Sequence, residues 1–568
     1  MKPSEAKANV GVLPARLRKT QLDYVYEHEK KRPTDVWLTQ PVGGGEVRDL
    51  TFREAMDEAR RMAAHLRSLD LPKPSQIALF SKNTAWWFLA DLAIWMAGHV
   101  SVPLYPTLTP ETIRQILEHS EARLIFVGKL DGFDQMKEGI PSGLPRIAMP
   151  LAPEVEGASA WADIVAKAEP IEGEPARDPD ELATIIYTSG STGVPKGVMH
   201  SFRSMSASRV FIEFLGSTHE DRMLSYLPLA HAFERAVVEI PAMQMGGRVF
   251  FAESLDTFVQ DLRRARPTLF VSVPRLWSKF QQGVFAKMPP KKLERMLKIP
   301  IVRGIVRKKV LEGLGLASVR VAASGSAPIP AELIAWYRSL GLELLEGYGM
   351  TENFSISHVN RPGEVRVGYV GSPQHGVDQR ISEAGEVLVK SPGTMLGYFK
   401  DDALTRDMLD AEGFLHTGDR GEIDERGRLK ITGRVKELFK TSKGKYVAPT
   451  PIENVLMEHD DVEQALVSGT GMPQPFGLVV LSDAARERSK TTDARESITK
   501  SLEAHLERTN GALDPHEHLE KVVVVGEPWT IENGLLTPTM KVKRAAIEDR
   551  YGSKVHAWYK AKARVLWD

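Results

Sequence analysis

Short apolar runs alternate along the chain with segments whose apolar residues recur at helical spacing. Gln76 to Phe80 (QIALF), Leu124 to Val127 (LIFV), Leu182 to Tyr187 (LATIIY) and Leu269 to Val273 (LFVSV) have the length and texture of strands buried on both faces. Thr51 to Leu69 carries the 3.6-residue period behind a threonine, which predicts an amphipathic helix with a capped start. Ala85 to Gly98 (AWWFLADLAIWMAG) is apolar almost throughout, is shorter than the about 20 residues a membrane span needs, and contains Asp91. It reads as a buried helix. Strand and helix in alternation predict an α/β domain.

From Gly371 the texture changes to short strands and glycine turns, with Gly385 to Lys390 (GEVLVK) and Gly421 to Thr432 (GEIDERGRLKIT). A small β subdomain is expected at about 371–433, closing a large N-terminal domain, 1–435. A helix beginning near Pro451 and two apolar strands, Gly477 to Leu481 and Lys521 to Gly526, predict a smaller α+β C-terminal domain at 436–568, within the usual domain range.

Lys plus Arg and Asp plus Glu number 74 each, so no global field favours nucleic acid or an acidic partner. There is no cysteine, which removes disulfides, thiolate metal sites and an enzyme-bound thioester. A thiol in the chemistry has to come with a substrate. The N-terminus lacks the apolar core of a secretory signal, so a cytoplasmic chain is expected.

Against this neutral background, 287–310 (KMPPKKLERMLKIPIVRGIVRKKV) holds nine Lys or Arg and the single acid Glu294. Leu293, Met296, Leu297 and Ile301 would share one helical face, and Val302, Ile305, Val306 and Val310 another. Such an element suits either peripheral contact with anionic lipid or a core-packed helix with a solvated basic face.

The most specific chemistry lies in Thr188 to Gly197, TSGSTGVPKG, directly after the strand ending at Tyr187. Three glycines and four hydroxyl side chains make a loop whose backbone can approach a polyphosphate, and Lys196 adds a positive charge. It is not a Walker A loop, because Lys196 sits between Pro195 and Gly197. A kinase or GTPase reading fails on that spacing.

YTSGSTGVPKG resembles the signature loop of the adenylate-forming superfamily, which includes acyl- and aryl-CoA synthetases and peptide-synthetase adenylation domains. Further motifs of that family follow in order: LPLAHAFER (Leu227 to Arg235), SGSAP (Ser324 to Pro328), EGYGMTE (Glu346 to Glu352), HTGD (His416 to Asp419), GRVKE (Gly433 to Glu437), KTSKGKYVAP (Lys440 to Pro449) and LLTPTMKVKR (Leu535 to Arg544). The resemblance spans nearly the whole chain. LPLAHAFER, SVPRLWSKF, AEGFLHTGD and ENGLLTPTMKVKR are most similar to long-chain acyl-CoA synthetases.

The resemblance implies that ATP, magnesium and coenzyme A are used, and it distributes the roles. Thr188, Ser189, Gly190, Ser191, Thr192, Gly193 and Lys196 would hold phosphates. Gly325, Ser326 and Ala327 would wall the adenine. Glu346, Gly347, Tyr348, Gly349, Met350 and Thr351 would complete the nucleotide site, with Tyr348 offering an aromatic face to the purine. Glu352, a hard oxygen ligand, would stand with Thr188 near the metal. Asp419 and Arg434 would bind ribose, a carboxylate accepting from vicinal hydroxyls and a guanidinium bridging oxygens. Lys440 belongs to the same set.

Lys541 would be the adenylation lysine, Lys436 the hinge of a mobile C-terminal domain, and Lys443, Gly444 and Tyr446 the coenzyme A contacts. His231 would sit near the carboxylate end of the acyl tunnel, although a histidine in apolar surroundings is as often a satisfied core residue. Two departures stand out: only Gly444 where relatives often pair glycines, and Lys436 where they often carry Asp. Family members occur as monomers and dimers. A fatty-acyl-AMP ligase serving a carrier protein, or a non-catalytic AMP binder, would share the nucleotide motifs.

Overall fold

The apolar runs assemble into sheets. The computed structural model describes residues 18–189, 195–537 and 540–568. Its largest sheet has eight strands in the order Gly397–Tyr398, Pro195–Ser201, Leu182–Ser189, Val100–Leu104, Gln76–Phe80, Leu124–Val127, Arg146–Ala148, Ser159–Ala160. From Leu182–Ser189 onward the pairing is parallel, and the first two strands are antiparallel additions. Ile77 to Phe80 and Leu124 to Val127 are buried on both faces, which is why they read as unbroken apolar runs.

The helix Ala85–Ala97 buries every residue and ends at Gly98, whose φ of 90° suits a left-handed helix end. Its Asp91 is paired at 2.8 Å with Arg235, itself 3.1 Å from Glu239 across a π-helical turn, Arg235–Glu239. Burial raises the Glu239 carboxyl well above its ordinary range, opposed by Arg235. Desolvation offsets much of the Coulombic gain of such a buried pair, whereas removing one partner would leave a buried charge uncompensated. Thr51 caps Phe52–Ser68, as its place before the apolar period suggested, accepting from the Glu54 amide, and the Glu54 carboxylate accepts in turn from the Thr51 amide.

A second sheet runs Leu269–Ser272, Val321–Ser324, Leu344–Tyr348, His358–Val359, Ser372–Pro373, its first three strands parallel. A third runs Arg222–Ser225, Arg248–Phe251, Val36–Gly43, Glu46–Thr51. The aromatic core below the second sheet gathers Phe270, Trp277, Phe280 and Tyr337. Burying four such rings contributes roughly 2 to 3 kcal/mol each before chain entropy is counted.

The chain forms two compact units. The first runs up to Arg366 and adds Gly371–Asp378 and Val389–Leu415; the second comprises Val367–Val370, Gln379–Leu388 and His416–Asp568. The short strands expected at 371–433 therefore divide between the units. Asp378–Ile381, Glu386–Lys390, Leu415–Ile423 and Leu429–Arg434 form one sheet, whose bulk lies in the second unit. That unit also holds the sheet Val462–Ser468, Phe476–Leu481, Val522–Val524, Val565–Trp567 and the helix Pro449–Leu456.

The basic segment departs from its expected faces. It is two helices, Pro290–Lys298 and Pro300–Leu314, broken where Ile299 precedes a proline. Leu293 and Val306 point inward, whereas Ile301 and Ile305 lie exposed, so the grouping of Leu293 with Ile301 and of Ile305 with Val306 does not hold. Among the described residues no helix is long and apolar enough to cross a membrane.

Candidate active site

The signature loop is framed by the strands Leu182–Ser189 and Pro195–Ser201. Its ends are more regular than a glycine-rich loop suggests: Thr188 and Ser189 continue one strand, and Pro195, Lys196 and Gly197 begin the other. Thr188 stands directly opposite Lys196, so a hydroxyl and an ammonium occupy one face of the ladder beside the loop. Gly190, Ser191, Thr192 and Gly193 lie outside the described residues, as does the side chain of Ser189.

Gly197, paired with Tyr187, faces the other way; a Cβ there would come within 2.8 Å of Ile185 and 3.3 Å of Phe399. Its amide plane instead receives the chain that follows Tyr398, the Phe399 N–H donating to the Gly197 carbonyl at 2.7 Å.

The motifs expected beside adenine sit at the carboxyl ends of the parallel strands of the second sheet, the usual place for ligands in open α/β sheets. Ser324 pairs in register with Glu346. Beyond it, Gly325 lies where a Cβ would meet the Phe233 ring at 2.9 Å, which joins SGSAP to LPLAHAFER. Ser326 and Ala327 are exposed, and Ser326 adopts a φ of 69° despite having a side chain. Glu346 is buried, accepts from the Ile329 amide at 3.4 Å, and is pushed up to about 7 by burial.

Tyr348 ends its strand opposite His358. Gly349 has no room for a side chain, since a Cβ would sit 2.6 Å from the Ser355 Cα, whereas Gly347 has no atom closer than 3.6 Å. Met350 donates its amide to the Asn353 side chain at 2.9 Å, shaping the turn Thr351–Asn353 that carries Glu352.

Two residues that no sequence signal marked tie this turn to the signature strand. His200 lies 2.7 Å from the Thr351 carbonyl through Nε2. Burial pushes the imidazole down to about 4, so it is neutral at physiological pH and Nε2–H donates. Tyr398 donates its phenol to Glu352 Oε1 at 2.7 Å. A lone buried histidine and a tyrosine 46 residues away from its partner leave no local pattern to find.

His231 accepts from the Phe233 amide through Nδ1 at 3.0 Å and begins the helix Ala232–Glu234, so it has a structural task at this position. The Tyr105 ring meets it edge-on at 6.3 Å.

In the second unit, Asp419 and Arg434 are opposite each other on neighbouring strands, joined by an ion pair of 2.8 Å. Two residues expected separately at a ribose thus form one pair. The turn leading to Asp419 is held by Glu386, which accepts from the Gly418 amide at 2.9 Å and lies 3.0 Å from His416.

Lys436 is exposed on the turn Val435–Glu437. Lys440 pairs with Tyr446 across a two-stranded hairpin, its ammonium 5.5 Å from the ring centre. Lys443 and Gly444 form the exposed tip, and Gly444 is needed for its φ of 77°, because a Cβ would meet nothing closer than Lys440 Cε at 3.8 Å. Lys541 is exposed on a tight turn in which its carbonyl accepts from the Thr537 amide at 2.8 Å and its amide donates to the Thr537 hydroxyl at 3.0 Å.

Among the described residues no group of three or more His, Asp or Glu could hold a metal ion. A magnesium ion carried on phosphates asks a protein for only one or two carboxylates. Glu352, on a fixed turn, fits the requirement.

The family model for AMP-binding enzymes matches residues 25–399, and that for the AMP-binding enzyme C-terminal domain matches 437–563. The long-chain-fatty-acid–CoA ligase FadD15 of Mycobacterium bovis is 30% identical over 94% of this chain and 96% of its own. Human long-chain-fatty-acid–CoA ligase 1 is 31% identical over 85% of this chain and 78% of its own. The crystal structure of a benzoate CoA ligase from Burkholderia xenovorans shares the fold, with a TM-score of 0.73 at 24% identity, covering 93% of this chain and 99% of that one. With the signature loop framed by its two strands and both family domains matched in order, the chain belongs to the AMP-binding enzymes and stands among the long-chain acyl-CoA synthetases of the adenylate-forming superfamily.

Proposed function

We propose that the protein activates a long-chain fatty acid with ATP and transfers the acyl group to coenzyme A. A carboxylate oxygen of the acid attacks the α-phosphorus, the bond to pyrophosphate breaks, and acyl-AMP forms. The thiol sulfur then attacks the acyl carbon, AMP leaves, and the thiol proton is released. The observation that carries the reading is Thr188 standing opposite Lys196 at the mouth of the signature loop, in a chain about 30% identical to long-chain ligases over nearly its full length.

Thr188, Lys196 and the loop residues bind phosphates, and Glu352 with Thr188 holds the magnesium ion, which when bound neutralises phosphate charge. Gly325 to Ala327 and Glu346 to Thr351 receive adenine; Asp419, Arg434 and Lys440 receive the rest of the nucleotide. Lys541 supplies positive charge as adenylation proceeds, Lys436 is the hinge between the two half-reactions, and Lys443, Gly444 and Tyr446 meet coenzyme A. His231 orients the acid, a role its Phe233 contact supports by fixing the ring.

Pyrophosphate release from ATP with palmitate tests the first step, and acyl-CoA formation on adding coenzyme A tests the second. Release that does not require the acid, or acyl-AMP that coenzyme A leaves untouched, would overturn the assignment; the latter would favour a ligase serving a carrier protein.

A second reading concerns 287–310. Ile299, Ile301 and Ile305 are 51%, 81% and 55% exposed on an element carrying nine cations. Apolar side chains beside a dense positive charge favour the surface of an anionic bilayer, from which a membrane-dissolved acid would be taken.

A further inference from the structure

The segment Met395 to Phe399 (MLGYF) belongs to none of the motifs that define the site, yet it touches two of them. Its Met395 amide donates to the Glu352 carbonyl at 2.8 Å, its Leu396 amide to Met199 at 2.8 Å, and its Phe399 amide to Gly197 at 2.7 Å. Between these, Gly397–Tyr398 pairs with Val198 and Met199 of the signature strand.

The Tyr398 backbone is set twice over. Its amide donates to the Thr405 hydroxyl at 2.9 Å, and Gly397, at a φ of 142°, leaves room for Thr405, whose Cγ2 lies 2.9 Å from where a Cβ would be. With its main chain fixed, the ring is carried inward to 4% exposure, and the hydroxyl meets Glu352 Oε1 at 2.7 Å.

We propose that Tyr398 is a positioning residue for magnesium: its hydroxyl fixes the Glu352 carboxylate, through the 2.7 Å hydrogen bond to Oε1, in the orientation that receives the ion. The proposal rests on Glu352 being the metal carboxylate. An ionised carboxylate has about four lone-pair sites, and a single neutral donor takes one of them without adding charge. A donor of this kind removes the rotational freedom that an exposed glutamate would lose on meeting the ion. Loss of such a supporting partner typically costs about 10- to 100-fold in metal affinity.

The same segment explains why the signature motif ends in glycine. A Cβ at Gly197 would lie 2.8 Å from Ile185 Cγ2, 3.2 Å from the Tyr187 ring and 3.3 Å from Phe399 Cβ, crowding the strand pair on which the Tyr398 segment rests. The signature strand Pro195–Ser201 and the turn that carries Glu352 are thus both bonded to one segment, Met395 to Phe399.

The test is Tyr398→Phe, which removes one oxygen and keeps the ring. Manganese binding is followed directly by electron paramagnetic resonance with α,β-methylene ATP, and magnesium half-saturation by pyrophosphate release. We expect both constants to rise about 10- to 100-fold with the maximal rate largely recovered at high magnesium. Met395→Ala, which trims the same buried cluster and leaves the phenol and the main-chain bonds in place, serves as the structural control and should lower the melting temperature without that shift.

Glu352→Gln separates the two layers. If it shifts metal binding and Tyr398→Phe does not, the positioning role fails while the Glu352 reading stands. If Glu352→Gln itself leaves metal binding unchanged, the reading beneath the proposal fails. A metal shift equal in Tyr398→Phe and Met395→Ala would reduce Tyr398 to a packing residue.

Discussion

Lys541 can be tested by removing its charge while keeping the main-chain bonds it makes. The Thr537 amide donates to the Lys541 carbonyl and the Lys541 amide donates to the Thr537 hydroxyl, bonds that the main chain of any non-proline residue can make. Lys541→Ala removes the charge and keeps those two bonds available. Adenylation of palmitate should fall about 100- to 1000-fold, while supplied palmitoyl-AMP should still react with coenzyme A. Equal losses in both half-reactions would move the assignment to Lys543 or end it. At this scale the sequence was most informative where a motif combined several residue types, as in Thr188 to Gly197. It was silent on Tyr398 and His200, because a hydrogen bond between residues distant in the chain has no spacing to read.

At the scale of elements, apolar period located the strands well, and Thr51, Gly98 and Pro300 punctuated the helices as their chemistry requires. The basic segment was harder. Periodicity alone grouped Ile301 with Leu293, but the break at Pro300 restarts the helix and turns Ile301 outward. Changing Lys291, Lys292, Lys308 and Lys309 to Gln should weaken sedimentation with phosphatidylglycerol vesicles at low salt at least 100-fold, taking about 1 kcal/mol per cation. Ile301→Asn should weaken it further. Arg307 is best left intact, since its Nε donates to the Ser339 carbonyl at 2.7 Å and holds the helix down. If the quadruple variant and wild type sediment alike, the element is only a solvated face.

For the whole molecule, buried ionisable groups link stability to pH in opposing directions. Glu234, which accepts from Ser225 at 2.8 Å, the Tyr226 amide at 3.0 Å and Asn83 at 3.3 Å, is pushed up to about 8 by burial. A carboxyl raised on folding binds more protons in the folded state. Its contribution is full below the ordinary value of 4.5 and is lost as pH rises to about 8, an effect of up to roughly 5 kcal/mol. His200 acts oppositely, destabilising the fold as pH falls from 6.5 towards 4. Glu234→Gln, which mimics the protonated acid, should raise the thermal midpoint at pH 8 relative to wild type and lose that advantage by pH 5. A pH-independent difference between the two chains would show that Glu234 is not the group responsible.

By itself the sequence determined the α/β class, the motif order and the residue types available for adenylation, because these follow from apolar period and from chemistry confined to a few neighbours. The tertiary structure decided what depends on long-range pairing. It set Thr188 against Lys196, joined Asp419 to Arg434, turned Ile301 and Ile305 outward, and brought Tyr398 to Glu352. Each of these follows from strand register or from which helix face finds a partner. Register and packing are properties of two segments at once, and neither segment encodes them alone.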